Sequence, residues 1–475
     1  MLIGSILLYL ALTVGIGVYA SKRVRGPRDF LVAGRSLPLG ISFATVFATW
    51  FGAETMLSVS AAFTGEGLRG VSADPFGASF ALLFIAIFFA RAFYRMDLLT
   101  IGDFYRRRYG RLVEVVTSLA VTASYLGWTA AQLTALGLVL HVLSGGAWPL
   151  DWCILGGALV VLVYTLLGGM WAVALTDLLQ TVVIMVGLLL VAWLVGDMAG
   201  GPANVIAHAH AAGRLDFWPE GGLVEWLPFV AAWLTMALGS IPRQDVFQRV
   251  ASARDEKTAV RGSLLGAAAY LAFAFVPMFI AYAAVVIDPG FLDLFASGDA
   301  REVQRTLPDL ILARTPFWAQ VMFFGALLSA ILSTASGALL APTALFTENV
   351  LRSFMPQIAD RRFLALLRAV LVLFTAAAVL FALDSRSSMY EMVQSAYKVT
   401  LVGALVPLAA GVFWKRATAQ GALLSVFMGL VVWGAAEMNH ASALLPPQMA
   451  GLLAALAGMV AGSLLPQLVT ARDTA

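Results

Sequence analysis

Apolar stretches of about 20 residues recur along the whole chain, separated by short polar segments. The opening run, MLIGSILLYLALTVGIGVYASKR, and a closing run, LLAALAGMVAGSLLPQL, frame the pattern. Runs of this length match the hydrocarbon thickness of a bilayer, and a helix is the element that satisfies its own backbone groups there. The pattern predicts spans at roughly 1–20, 39–64, 74–96, 113–143, 150–168, 172–198, 223–250, 260–287, 316–350, 363–383, 388–413, 418–437 and 447–468, about thirteen helices. The expected fold class is an all-α polytopic membrane protein with one domain over residues 1–475.

Composition agrees with that reading. Hydrophobic residues make up 61% and charged residues 12% of the 475, whereas a soluble chain carries about 25% charged. The single cysteine, Cys153, excludes a disulfide framework within the chain. The four histidines form no metal-ligand spacing. The first apolar run lacks a basic segment before it and is expected to be a retained helix rather than a signal peptide.

The net charge of +3 is placed unevenly and reads as membrane topology, not nucleic-acid binding. Lys22, Arg23, Arg25, Arg28 and Arg35 follow the first span, and Arg91, Arg95, Arg106, Arg107, Arg108 and Arg111 surround the loop after the third. Arg249, Arg254, Lys257 and Arg261 follow the seventh; Arg352, Arg361, Arg362 and Arg368 the ninth; Lys415 and Arg416 the eleventh. The opposite loops hold only Arg69, Arg214, Arg301, Arg305, Arg314 and Arg386. The positive-inside rule then puts the N-terminus outside and the C-terminus in the cytoplasm of a plasma membrane, a bacterial inner membrane.

Two spans are interrupted. FATWFGAETM, residues 47–56, carries Gly52 and the carboxylate of Glu54 at mid-depth. LTMALGSIPRQDVFQR, residues 234–249, carries Gly239, Pro242 and Arg243. Glycine loosens a helix and proline removes a donor, so both stretches are expected to unwind. With the first helix set aside, they open two successive groups of five spans, 39–198 and 223–413, with trailing helices over 418–468. Matched interruptions point to a transporter's binding region, although either break alone also reads as a packing kink. The segment SAILST, residues 329–334, adds hydroxyls to an apolar run. Ala330, Ser333 and Thr334 stand at i, i+3 and i+4 and share a helix face. One carbonyl and two hydroxyls there suit a small hard cation. The competing reading is that the hydroxyls bond back to their own helix or join neighbouring helices.

Four pieces in order, FLVAGRSLP at 30–38, YTLLGGMWAVALTDLLQ at 164–180, IPRQDVFQR at 241–249 and LSTASGALLAPTALFTEN at 332–349, resemble the sodium:solute symporter family. The resemblance covers nearly the whole chain. It implies a LeuT-like five-plus-five inverted repeat with one leading and two trailing helices. It also implies a principal sodium site at the carbonyls of Ala48 and Phe51 with Ala330, Ser333 and Thr334. A second sodium is implied at Asp177, Ser333 and Ser336, but Gly337 stands where a further hydroxyl is expected. The nearest branches are the choline and proline symporters. Trp50 and Trp128 match two positions of the choline branch's aromatic cage, while Arg243 replaces a tryptophan and Ala78 a tyrosine. An arginine repels a cationic ligand, which argues against choline.

Ionisable residues inside spans are functional candidates, here Glu54, Arg243 and Lys398. Arg243 and Lys398 are expected to hold a carboxylate, and Glu54 a substrate ammonium or one of the two bases. A purely structural ion pair is the alternative. Trp50, Trp128, Gln132 and Tyr397 are expected to line the remainder of a small pocket, if they are not simply packing residues. The implied activity is uptake of a small organic solute, carboxylate-bearing or zwitterionic, driven by sodium through alternating access. Proton coupling on the same fold and a transporter-like sensor are the alternatives; no enzyme motif assembles, and no obligate protein partner is expected.

Overall fold

The computed structural model describes residues 1–290, 300–355, 357–385, 389–439 and 445–469, and these fold almost entirely as helices. Arg386 and the side chains of Arg301 and Arg305 lie outside the described residues. Ten helices are long and apolar enough to cross a membrane: α1 (Leu2–Ser21), α4 (Leu68–Arg95), α5 (Arg111–Leu143), α6 (Leu150–Met198), α9 (Glu256–Ile287), α10 (Phe317–Leu351), α11 (Asp360–Asp384), α12 (Glu391–Phe413), α13 (Ala419–Met438) and α14 (Pro447–Leu464). Two bent pairs, α2 (Leu39–Trp50) with α3 (Glu54–Glu66) and α7 (Leu223–Gly239) with α8 (Gln244–Ser252), raise the count to twelve among the described residues. The sequence count of thirteen is reached only by dividing the 49-residue α6. That helix is interrupted at Gly169, with φ 50° and ψ −138°, and unbroken it would be about 74 Å long, more than twice a hydrocarbon core.

Burial sorts the helices. Every residue in the most apolar window of α10 is buried, against 22% for α1 and 28% for α13. A helix apolar all round belongs at the centre of a bundle, and α10 packs against α5, α6 and α2. Its hydroxyls therefore face protein, not lipid. The trailing pair α13 and α14 packs mainly on itself, side by side at the periphery. At the polar ends, Arg95 grips Glu256 through two bonds of 2.8 and 3.0 Å, tying the end of α4 to the start of α9.

Candidate functional site

The first break can be followed bond by bond. In a continuous helix the Gly52 and Ala53 amides would donate to the carbonyls of Ala48 and Thr49. Instead Gly52 N–H turns to Trp50 O at 3.0 Å, and Ala53 N–H donates to Gln132 Oε1 at 3.3 Å. The chain bends by 56°. The two released carbonyls face the Thr334 hydroxyl, which donates towards Ala48 O at 3.4 Å and Thr49 O at 3.2 Å. The Phe51 carbonyl, at φ −81° and ψ 78°, meets no backbone donor among the described residues. Gly52 permits the approach: a Cβ there would lie 2.6 Å from Thr334 Oγ1. Ala48, Phe51, Ala330, Ser333 and Thr334 are all buried.

Ser333 leans the other way, donating to Asp177 Oδ1 at 2.6 Å. With its O–H committed to that bond, the hydroxyl keeps its lone pairs free to face a cation. Asp177 Oδ2 is buried and has no hydrogen-bond partner among the described residues. Ser336 donates to Ser333 O at 2.8 Å, the back-bonding that the sequence left open. Arg249, counted above among loop charges, is corrected by the structure: it is 1% exposed and donates through Nε to Thr49 Oγ1 at 2.8 Å. Its charge acts on Asp177. Its Nη2 sits 2.7 Å from where a Gly337 Cβ would be, so the missing side chain at 337 is the space the guanidinium uses.

The second break lies between α7 and α8, bent by 44°. Pro242 has no amide to continue the ladder, and Arg243 takes an extended conformation, φ −88° and ψ 141°, at the cap of α8. Its side chain is fully buried. Nε donates to Asp245 Oδ1 at 3.2 Å, and the two Nη groups have no hydrogen-bond partner among the described residues. The guanidinium carbon lies 4.2 Å from the Tyr125 ring centre, 4.3 Å from Trp128 and 4.6 Å from Tyr397. Each such contact contributes about 2 kcal/mol when desolvated, which helps to offset the burial of the charge. Tyr125, Trp128 and Gln132 fall at i, i+3 and i+7 of α5 and share the inward face. Trp50 stacks on Tyr397 with centroids 6.5 Å apart and meets Tyr270 edge-on at 6.3 Å.

Glu54 lies among these groups, under the influence of Asp74, Arg243 and Asp245 and beside Trp128. Its Oε2, Trp128 Nε1 and Gln132 Nε2 are buried without partners among the described residues. The approach of Glu54 to Trp128 falls short of a hydrogen bond. Asp74 and Asp245 belong to the cluster although the sequence did not single them out. Asp74 accepts from Tyr270 at 2.5 Å and from Thr55 at 3.3 Å, and Asp245 accepts from Tyr125. An aspartate beside a proline at the start of an apolar run, and one two places after the intramembrane arginine, were the available signals.

Lys398 does not join the cluster. It pairs with Glu437 at 2.9 Å on the flank of α13, with a side chain 21% exposed. Adjacent helix positions point about 100° apart, so Tyr397 faces Arg243 and Lys398 faces away. Of the other expected solute contacts, Trp50, Glu54, Trp128, Arg243 and Tyr397 come together, and Gln132 reaches the same place by holding the first break open. Only a crevice of about 10 Å³, the room of one water, adjoins Trp50 and Arg249.

Paired broken helices beside a hydroxyl-bearing helix whose most apolar stretch is fully buried define a membrane carrier whose binding region lies at the breaks. The chain belongs to the sodium:solute symporter family, which matches residues 30–429. A high-affinity choline transporter of Caenorhabditis elegans is 24% identical over 449 residues, 90% of this chain and 76% of that protein. A sodium/glucose cotransporter of Vibrio parahaemolyticus is 25% identical over 447 residues, 88% of this chain and 82% of that protein. Among solved structures, a Na+-coupled sialic acid symporter in a substrate-bound outward-open state superposes with a TM-score of 0.82 at 20% identity, covering 98% of this chain and 99% of the other. A nucleobase-cation-symport-1 family transporter in a closed conformation gives 0.61 at 16% identity over 94% and 98% of the two chains. The fold is thus LeuT-like, and the chain is a multi-span membrane transporter of a sodium-coupled family, not an enzyme.

Proposed function

We propose that the chain couples inward sodium movement to uptake of a small zwitterionic or carboxylate-bearing solute by alternating access. The observation that carries the solute class is a pair of opposite charges left open in one place. Two Arg243 Nη groups and Glu54 Oε2 are buried and unpartnered among the described residues, and the two side chains act on each other electrostatically. A carboxylate satisfies the first and an ammonium the second. Buried polar groups normally find partners, so such a pair is poised for a ligand that brings both. Trp50 and Tyr397 form the adjoining apolar wall. Some relatives are choline transporters, but a buried arginine in this position repels a solute that is only cationic.

Sodium is assigned to Ala48 O, Phe51 O, Ala330 O, Ser333 Oγ and Thr334 Oγ1. An ion there joins α10 to the broken helix, and it shifts the carrier's equilibrium only as far as it prefers one state over the other. A second ion at Asp177, Ser333 and Ser336 would share its carboxylate with Arg249, so this reading takes one sodium per cycle. Leading helix 1–20, repeats 39–198 and 223–413 and trailing helices 418–468 are the proposed frame, with the N-terminus outside a bacterial inner membrane. That orientation rests on the arginine-rich loops.

Proton coupling has its own support, since three buried carboxylates, Glu54, Asp74 and Asp245, outnumber the one arginine of the cluster. Thermal stability of the purified protein separates the readings. Sodium is expected to raise Tm where potassium does not, and amino acids or other small carboxylates to add to it only when sodium is present. Equal stabilisation in sodium and potassium, with solute uptake set by pH alone, would replace the sodium reading with the proton one.

A further inference from the structure

Tyr125, Trp128 and Tyr397 surround one positive charge, and that charge is the chain's own. The Arg243 guanidinium lies 4.2 to 4.6 Å from all three ring centres. Rings disposed in this way attract any desolvated cation, and quaternary ammonium groups are common free ligands of such boxes. We propose that Arg243 is a resident cation that sets specificity: it fills the aromatic box, thereby excluding quaternary ammonium solutes, and presents its two free Nη groups to an anionic part of the solute.

Three observations separate this from a structural strut. A strut would spend its donors on protein, yet only Nε is committed, to Asp245, and both Nη groups are unpaired at zero exposure. Asp245 is itself shared, because the Tyr125 hydroxyl donates to it and accepts its backbone amide at 2.9 Å. The rings therefore carry part of the stabilisation that a second carboxylate would otherwise supply. Finally, Arg243 projects from extended backbone at the break, not from the flank of a helix. The box is thus built by α5 and α12 and plugged from the α7–α8 interruption, and removal of the plug leaves its walls in place.

The inference rests on reading this region as the solute site, but its test does not use transport. Arg243→Ala empties the box, and tetramethylammonium chloride is the probe at constant ionic strength. The probe is expected to raise Tm of the variant and change its tryptophan fluorescence at concentrations at least about tenfold below any effect on the wild type. Stabilisation of the variant by sodium confirms that it is folded. A folded variant that ignores the probe, or responds no better than the wild type, overturns the proposal. If Arg243→Ala cannot be recovered, Arg243→Gln replaces it. If neither is recovered, guanidinium or tetramethylammonium in the extraction buffer must restore at least one, and no restoration also overturns it. A wild type that failed to couple sodium to carboxylate uptake would remove the functional reading and leave the box result standing.

Discussion

Single side chains decide the sodium assignment, because at the first break the carbonyls of Ala48 and Thr49 have lost their helical donors and face a hydroxyl instead. Thr334→Val keeps the shape and removes the hydroxyl that faces Ala48 and Thr49. Interactions of a hydroxyl with a charged group contribute about 1.5–3 kcal/mol, roughly tenfold or more in affinity. Half-saturation of uptake by sodium is therefore expected to move up by about that factor, while solute affinity at saturating sodium changes little; Ser333→Ala behaves alike. Unchanged sodium activation in both variants would remove the site. This trio was readable in the sequence because i, i+3, i+4 spacing fixes a shared face whatever the helix packs on. Lys398 was not, because its neighbour Tyr397 has an equal claim to face inward and only the packing of α7 and α13 decides between them. Arg249 was misplaced for a related reason: an arginine near a predicted span end looks like a loop charge until Thr49 and Gly337 are seen to enclose it.

Among the elements, both breaks were legible because glycine and proline act locally. What holds the first one open was not, since Gln132 comes from a helix 79 residues away. Gln132 Oε1 takes the Ala53 amide that would otherwise close onto Thr49 O. Gln132→Leu therefore either orphans that amide, at a cost of about 1–3 kcal/mol, or lets the helix close and withdraw the carbonyls of Ala48 and Thr49 from Thr334. In both cases Tm is expected to fall and the stabilisation by sodium to be largely lost. Gln132→Glu, which keeps an acceptor, is expected to retain most of that stabilisation. If the leucine variant responds to sodium as the wild type does, the break is maintained by something other than this bond. The division of α6 shows the complementary limit: the apolar run hides its interruption, and Gly169 is distinguished only by the backbone conformation it adopts.

For the whole molecule, the charge carried per cycle follows from the central cluster. One sodium with a zwitterion moves one positive charge inward, whereas one sodium with a simple monocarboxylate moves none. The membrane potential acts on a moving charge with about 2.3 kcal/mol per 100 mV, worth roughly fiftyfold in accumulation. Proteoliposomes with equal sodium on both sides and a potassium diffusion potential, negative inside, isolate this term. A zwitterion is expected to accumulate under the potential alone and to stop when N-methylglucamine replaces sodium on both sides with the potassium gradient kept. A monocarboxylate lacking the ammonium is expected to equilibrate without accumulating. If the zwitterion also fails to respond to the potential, the stoichiometry of one sodium per solute is wrong. If the potential drives accumulation without sodium, the excess of carboxylates around Arg243 is carrying protons, and the hydroxyls of α10 serve only to bind the helices together.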